Sequence, residues 1–401
     1  MRRARTTILR CSGLRALRLR LRDREHLLRV LLIFQFFGPY HIARWRHWRS
    51  LARAAGWTPM ALQVFRSPDL YRWRADGRGG REDIFDLGLV TNGRDNMRWL
   101  DTKRLYSALS DLRPDVVLVN GWAMRDAILA HAWCRWSGVR RVIVSDSQQD
   151  DFVRNRLKEG LKREIIRGVG SGFVGGAPHR RYLEVLGLSP DRVSDGLDVV
   201  DNAHFSVAQA LRRVGGHRIL TVARLSPEKN LLAAGEAFLR FMGRRRDTAP
   251  WKWMIVGYGP QESQIRALAA RSQGAIEWLG LRQYPELPAI YADADLYWQP
   301  SVREPWALAV NEAMASGLPV LVSRRCGCHE DLVTGETGWT FDPYSSEAMV
   351  QALDYAAQSH AGWPDMGRAA AALIADWDLA RFSSGVMRAV RVTVGQADVA
   401  A

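Results

Sequence analysis

Short apolar runs, each closed by a turn and followed by a longer amphipathic stretch, recur along this chain. The runs fall at 27–37, 116–119, 142–144 and 173–174, and again at 217–222, 253–256, 276–280, 294–298 and 318–322. They are continuous instead of alternating, which is how strands buried on both faces of a parallel sheet read. The stretches between them carry helical spacing at 42–55, 103–112, 154–167, 178–188, 261–272 and 305–317, with further helices at 346–358 and 366–374. Strand and helix in alternation predict an α/β protein built on parallel sheets. Residues 66–98 are polar and rich in Gly, Arg and Asp, and read as a long loop or irregular insertion.

Open parallel sheets bind ligands outside the carboxyl ends of their strands, so the turns after the apolar runs are the places to look for chemistry. The first run breaks at Gly38-Pro39-Tyr40-His41, which is not the glycine pattern of a dinucleotide site. Asn120-Gly121-Trp122 follows the run at 116–119. Ser145-Asp146-Ser147 follows 142–144, where Asp146 suits either a hydroxyl ligand or a helix cap. The run 217–222 ends in Ala223-Arg224-Leu225-Ser226-Pro227-Glu228-Lys229-Asn230. Arg224 offers a fork and Lys229 a point charge, a pair suited to a diphosphate whose charge grows as it departs. Gly257-Tyr258-Gly259-Pro260 follows 253–256 and permits close backbone approach at Gly257 and Gly259.

The run 294–298 leads into a polar loop, then a helix expected to start at Pro305, where a missing N–H costs nothing. Glu304 sits in that loop and Glu312 eight positions later, facing the same crevice. Free N–H groups near Trp306, Ala307 and Leu308 would make an anion site at the helix N-terminus. Phosphate donors beside two hydroxyl-binding acids suit a sugar joined to a nucleoside diphosphate.

These residues carry a resemblance. The stretch from Arg303 to Val320 resembles the E-x7-E motif of retaining glycosyltransferases of family 4, and Ala223–Asn230 resembles their G-R-L-x-x-E-K-G. The similarity is dense over 217–345 and thinner over 28–200. It implies the GT-B architecture: two Rossmann-like parallel-sheet domains facing across a cleft, here a basic arm at 1–26, an acceptor-side domain at 27–205, a donor domain at 206–375, and a returning helix and tail at 376–401. It also implies that Glu304 contacts the donor sugar, Glu312 the ribose, and Arg224 and Lys229 the diphosphate. Gly257, Gly259, Trp306, Ala307 and Leu308 would lie along the donor, with Gly38, Tyr40, His41, Asn120, Trp122 and Asp146 on the acceptor side. The implied reaction moves a sugar from a nucleoside diphosphate sugar to an acceptor hydroxyl by front-side attack, with retention and without a metal or other cofactor. The sequence departs from the pattern at Ala223, Asn230 and Ala307, where the family usually has Gly, and lacks the His that many members carry after the 116–119 strand. A GT-B sugar-nucleotide epimerase would share the fold.

Composition narrows the setting. Of 401 residues 47% are hydrophobic and 25% charged, as in a globular protein of two domains. No apolar run reaches the roughly 18 residues of a membrane span. Four cysteines without framework spacing argue against a disulfide-built fold, and Cys326-Gly327-Cys328 reads as structural, as do His179 and His204. The net charge is +15, and residues 1–24 carry nine Arg against one acid, Asp23. That arm fits an amphipathic helix on an anionic membrane, a disordered tail or an upstream-start artefact; a bare membrane- or nucleic-acid-binding module is the remaining alternative. No nucleic-acid recognition motif accompanies the charge, so the expected partners are a nucleotide sugar, a glycan, lipid-linked or small-molecule acceptor, and an anionic membrane surface. The expected setting is cytoplasmic, with a peripheral seat on the inner membrane face.

Overall fold

The structure is a computed structural model that describes residues 27–65, 84–89, 99–211, 216–245 and 250–396. The basic arm and most of the expected loop at 66–98 lie outside the described residues.

Two all-parallel sheets organise the chain. The first contains β1 (Arg29–Phe34), β2 (Thr58–Phe65), β3 (Ile84–Leu89), β4 (Val116–Asn120), β5 (Arg140–Ser145), β6 (Ser171–Val174) and β7 (Val193–Asp195), in the order β3-β2-β1-β4-β5-β6-β7. The second contains β8 (Arg218–Val222), β9 (Lys252–Val256), β10 (Ile276–Gly280), β11 (Leu296–Gln299), β12 (Val320–Ser323) and β13 (Gly338–Phe341), in the order β10-β9-β8-β11-β12-β13. Each order reverses direction beside the first strand of its sheet, and that switch point is where a crevice opens at the strand ends. In the first sheet β1 is central, with Val30 pairing Pro59 on one side and Val116 on the other. Its residues from Val30 to Phe34 are all buried, which explains the unbroken apolar run.

The structure departs from the sequence reading at several elements. β3 lies inside the stretch read as a loop; it is an edge strand with Phe85 and Asp86 exposed. β7 is three residues long, too short for a hydrophobic pattern. The first helix starts at Pro39, not at 42, with the proline in its first turn. The helix expected from Pro305 to Gly317 runs only over Leu308–Ala315. Residues 304–306 are instead paired with the loop after β12. Glu304 N–H donates to Arg325 O (3.2 Å), Gly327 N–H to Glu304 O (3.0 Å) and Cys328 N–H to Trp306 O (3.2 Å). Gly327 is required there, since a Cβ would stand 1.8 Å from Pro305 O. The buried free thiols Cys326 and Cys328 flank this glycine and belong to the packing.

The last helix, Leu379–Val394, packs on the first sheet, against β5, β6, β7 and the helix Pro39–Ala54. Gly385 lets it approach closely, because a Cβ would meet Asp195 O at 2.4 Å. Arg381 adds an ion pair to Asp195 at 2.8 Å. One apolar cluster runs through both halves, from Phe34, Trp45 and Phe173 through Phe205 to Tyr297, Trp306 and Val320. Among the described residues no helix is long and apolar enough to cross a membrane.

Candidate active site

A pocket opens at the carboxyl ends of β8 and β9. It is lined by Val222, Ala223, Arg224, Gly257, Tyr258, Leu281, Arg282, Leu308, Ala309 and Glu312, with Tyr40 closing it from the first domain. Two glycines let its wall form. Gly257 has φ +146° and a Cβ there would strike Ala223 O at 1.8 Å; Gly259 has φ +156° and would strike Leu225 O at 2.5 Å. The turn after β9 is thereby pressed onto the loop carrying Arg224. Arg224 pairs with Glu228 at 2.6 Å, and although burial opposes it, the hydrogen bonds from Ser226 and Arg224 hold that carboxyl down at about 2. The N-terminus of the helix Leu308–Ala315 borders the same pocket, so a guanidinium and a helix dipole face one space.

The residue before that helix is unusual. Ala307 has φ +93° and ψ 70°. An L side chain in this region costs about 1–2 kcal/mol, and this explains why a glycine is the easier residue at the position. Asn230 is also left-handed, φ 59° and ψ 23°, a conformation Asn tolerates. Ala223 is not among the residues with positive φ and carries no such strain.

Glu312 is 2% exposed. Its Oε1 accepts from the Tyr40 hydroxyl at 2.5 Å, and its Oε2 from the Tyr291 hydroxyl at 2.6 Å. Burial raises its pKa to about 7, against the two phenol bonds that favour the charged form. Tyr40, read from sequence on the acceptor side, thus reaches across to the acid read as the ribose ligand. Tyr291 was not anticipated; nothing in a lone Tyr on the short helix Leu287–Ala292 marks it.

Glu304 forms an ion pair with Lys229, and its Oε2 also lies 3.4 Å from the Ser301 hydroxyl. Its backbone is held from the other domain. Gln148 Nε2 donates to Glu304 O at 3.1 Å, and His179 Nε2 lies 2.9 Å from Pro305 O. Gly176 N–H donates to His179 Nδ1 at 3.1 Å, so Nδ1 is an acceptor and the proton is on Nε2, which donates to Pro305. Burial lowers the His179 pKa and keeps it in this neutral form. Beside it, Ala177 N–H donates to Asp331 Oδ2 at 3.0 Å. Trp306 is buried; its indole N–H donates to Asn311 Oδ1 at 2.8 Å and its ring lies 5.1 Å from Trp377. It anchors the loop.

Around Glu304 the first domain contributes Asp146, Asp198 and Arg44. Asp146 faces the water of the cleft, and the surrounding walls together with the Glu304 carboxylate raise its pKa. Asp198, buried with Oδ2 unpartnered, is raised to about 7 by burial, against Arg44, with Asp146 and Glu304 adding to the rise. Arg44 is 3.9 Å from Asp198 and donates to Val199 O. His41 meets the Phe34 ring edge-on at 4.9 Å, and burial, with Arg44, pushes its pKa to about 3, so it stands as a neutral ring beside this group. Gly38 is the buried N-cap of the helix that carries Tyr40 and His41. Asn120 ends β4 half-buried. Trp122 does not join the site: it packs with Ile143 and Ile166, its ring 6.0 Å from Tyr182. Among the described residues no group of three or more His, Cys, Asp or Glu could hold a metal ion.

Residues 206–370 match the family model for Glycosyl transferases group 1. The amylovoran biosynthesis glycosyltransferase AmsK of Erwinia amylovora is 30% identical over 144 residues, 34% of this chain and 35% of that protein. The D-inositol 3-phosphate glycosyltransferase of Pseudarthrobacter chlorophenolicus is 29% identical over 257 residues, 61% of this chain and 60% of that protein. The alignments thus span between about a third and three fifths of these relatives. Among solved structures, a glycosyltransferase from Rickettsia africae superposes with a TM-score of 0.70 at 14% identity, covering 93% of this chain and all of that one. Anabaena HepE in complex with UDP gives 0.69 at 13% identity, covering 90% and 99%. The chain has the GT-B fold, and within its second half residues 206–370 are similar to Glycosyl transferases group 1.

Proposed function

We propose that this protein is a glycosyltransferase that moves a sugar from a nucleoside diphosphate sugar to an acceptor hydroxyl, with retention, in the building of a glycan, glycolipid or polysaccharide. The observation that carries the reading is the shared pocket: Arg224, the helix N-terminus at Leu308 and the buried Glu312 line one space, with the Lys229–Glu304 pair on a neighbouring loop. That HepE was solved with UDP supports a nucleotide in the corresponding cleft. In this reading Glu312 exchanges its phenol partners for ribose hydroxyls, and Glu304 orients hydroxyls of the donor sugar. Arg224, Lys229 and the helix dipole stabilise the leaving diphosphate, and no metal is called on for that charge. The acceptor hydroxyl attacks on the face the diphosphate leaves, its oxygen bonds to the anomeric carbon as the phosphate–sugar bond breaks, and its proton passes to the departing phosphate oxygen. Asp146 lies beside Glu304 on the acceptor side, where a hydroxyl would wait. The arm at 1–26 and the cleft together suit a peripheral position at the inner face of a membrane.

The test is thermal stabilisation by a panel of nucleoside diphosphates and their sugars. Selective stabilisation by one base, lost in Arg224→Ala, is expected, with turnover in Glu304→Ala down by about a hundredfold or more. Absence of any response to the panel, or unchanged turnover in Glu304→Ala, would overturn the reading.

A further inference from the structure

The helix Arg156–Ile166 and the turn before it leave large apolar side chains in the open. A helix on the surface of a soluble protein normally buries its apolar stripe and shows its charges. Here Ile166 is buried and Ile165 half-buried, but the inward side also carries charge. Glu159 accepts from the Tyr182 hydroxyl at 2.9 Å and from Lys162 at 2.8 Å, and the Lys162 ammonium sits 5.5 Å from the centre of the Trp122 ring. Large apolar side chains also face out: Leu157 is 85% and Leu161 58% exposed on the helix, and Val153 is fully and Phe152 62% exposed in the turn before it. Leu157 and Leu161 are four residues apart and share one face of the helix, and Val153 lies just before it. Asn155 caps the helix, accepting from Leu157 N–H at 2.9 Å and Lys158 N–H at 3.3 Å, and the bonds of Glu159 and Lys162 to the Tyr182 hydroxyl set its orientation.

Charge completes the pattern. Arg156 and Arg163 border the stripe on one side and Lys158 on the other, all exposed. Glu164 is the one exposed acid in the helix, and it is matched by Arg135 at 3.5 Å and Arg167 at 3.0 Å. Exposed leucines between basic side chains, held on a rigid helix, are what an interfacial helix presents to anionic lipid. The surface also stands at the rim of the cleft. Arg303, next to Glu304, lies 4.7 Å over the Phe152 ring, and Gln148, four residues before Phe152, bonds Glu304 O.

We propose that residues 152–163 are a membrane-docking surface that seats the cleft rim on an anionic bilayer, and that the acceptor is carried on a lipid. The docking stands on the surface alone; the identity of the lipid as an acceptor rests on the glycosyl-transfer reading. A molecule lying in the bilayer then reaches Glu304 by a short path over Phe152, without leaving the interface.

The experiment uses the full chain in sedimentation with phosphatidylcholine vesicles, with and without phosphatidylglycerol. Wild type is expected to bind only the anionic vesicles. Leu157→Glu/Leu161→Glu is expected to weaken that binding at least tenfold, and Arg156→Gln/Lys158→Gln by about fivefold for each charge removed. Both variants change exposed side chains, and circular dichroism with nucleotide stabilisation checks that each is folded. Binding to neutral and anionic vesicles alike, or anionic binding unchanged in Leu157→Glu/Leu161→Glu, overturns the docking surface. So does a dimer that this double variant turns to monomer while vesicle binding is kept, since a second copy would then be the occupant. Loss of vesicle binding without a rise in KM for a lipid-carried acceptor overturns the acceptor assignment. Failure of nucleotide stabilisation in the wild type would strike the transfer reading and leave the vesicle result standing.

Discussion

Glu312 is a carboxyl whose burial acts against the fold. In the folded protein it keeps its proton up to about pH 7, whereas the unfolded chain releases it near the ordinary 4.5. Between those values the folded state binds more protons than the unfolded state, so stability falls as pH rises through this window. Below about 4.5 the cost is absent; above about 7 it is complete, and a rise of this size corresponds to about 3 kcal/mol. Glu312→Gln keeps the shape and removes the charge. Tyr40 and Tyr291 can meet the amide, one donating to its oxygen and the other accepting from its nitrogen. The variant is therefore expected to match wild type in acid and to become more stable by about 3 kcal/mol above neutrality, while losing nucleotide affinity. Urea unfolding of both proteins at a series of pH values measures the gap, and features common to both proteins cancel in the difference. A gap independent of pH, or a variant less stable than wild type in base, would refute the reasoning.

Two further substitutions test the frame of the site. Gly257→Ala forces a methyl onto Ala223 O and should cost more than about 1 kcal/mol and abolish nucleotide stabilisation, read from thermal melts with and without the nucleotide. His179→Ala removes the donor to Pro305 O and the acceptor for Gly176 N–H, leaving two backbone groups unpaired at about 1–3 kcal/mol each. It should lower kcat through the displaced Glu304 loop while KM for the donor stays near wild type; a kcat equal to wild type would show that the clasp does not position Glu304.

The chain showed strands buried on both faces at Val30–Phe34 and Val116–Val119, because such strands allow little but apolar residues, yet β2, equally buried over Pro59–Phe65, was passed over, its run broken by Pro59 and Gln63. It hid β3, whose edge position admits Asp86 and Gly88, and β7, whose three residues carry no period. The charged residues at strand ends, Arg224, Lys229 and Glu304, were legible because they stand in compact local motifs. Tyr40 and Glu312 were each legible, but their bond joins residues 272 positions apart and only the docking of two domains creates it. The start of the helix at Leu308 was misplaced for a similar reason. Pro305 is a good first-turn residue in isolation, yet backbone pairing with Arg325–Cys328 keeps residues 304–306 out of the helix. His179, read as structural, is so in an informative sense: its tautomer ties one domain to the loop of the other.

That tie bears on how such proteins can be recombined. The loop carrying Glu304 is stitched to β12's loop on one side and to Gln148 and His179 on the other. The last helix, encoded after the donor domain, packs on the first sheet. A chimera that exchanges acceptor halves at the boundary between the sheets would cut both connections at once. Its seam has to follow the contacts and not the order of the chain: residues 148 and 176–179, the loop at 304–306, and the helix Leu379–Val394 must travel as matched parts. A grafted half lacking them would still offer a pocket for a nucleotide, but would hold the sugar-facing glutamate on a loose strand.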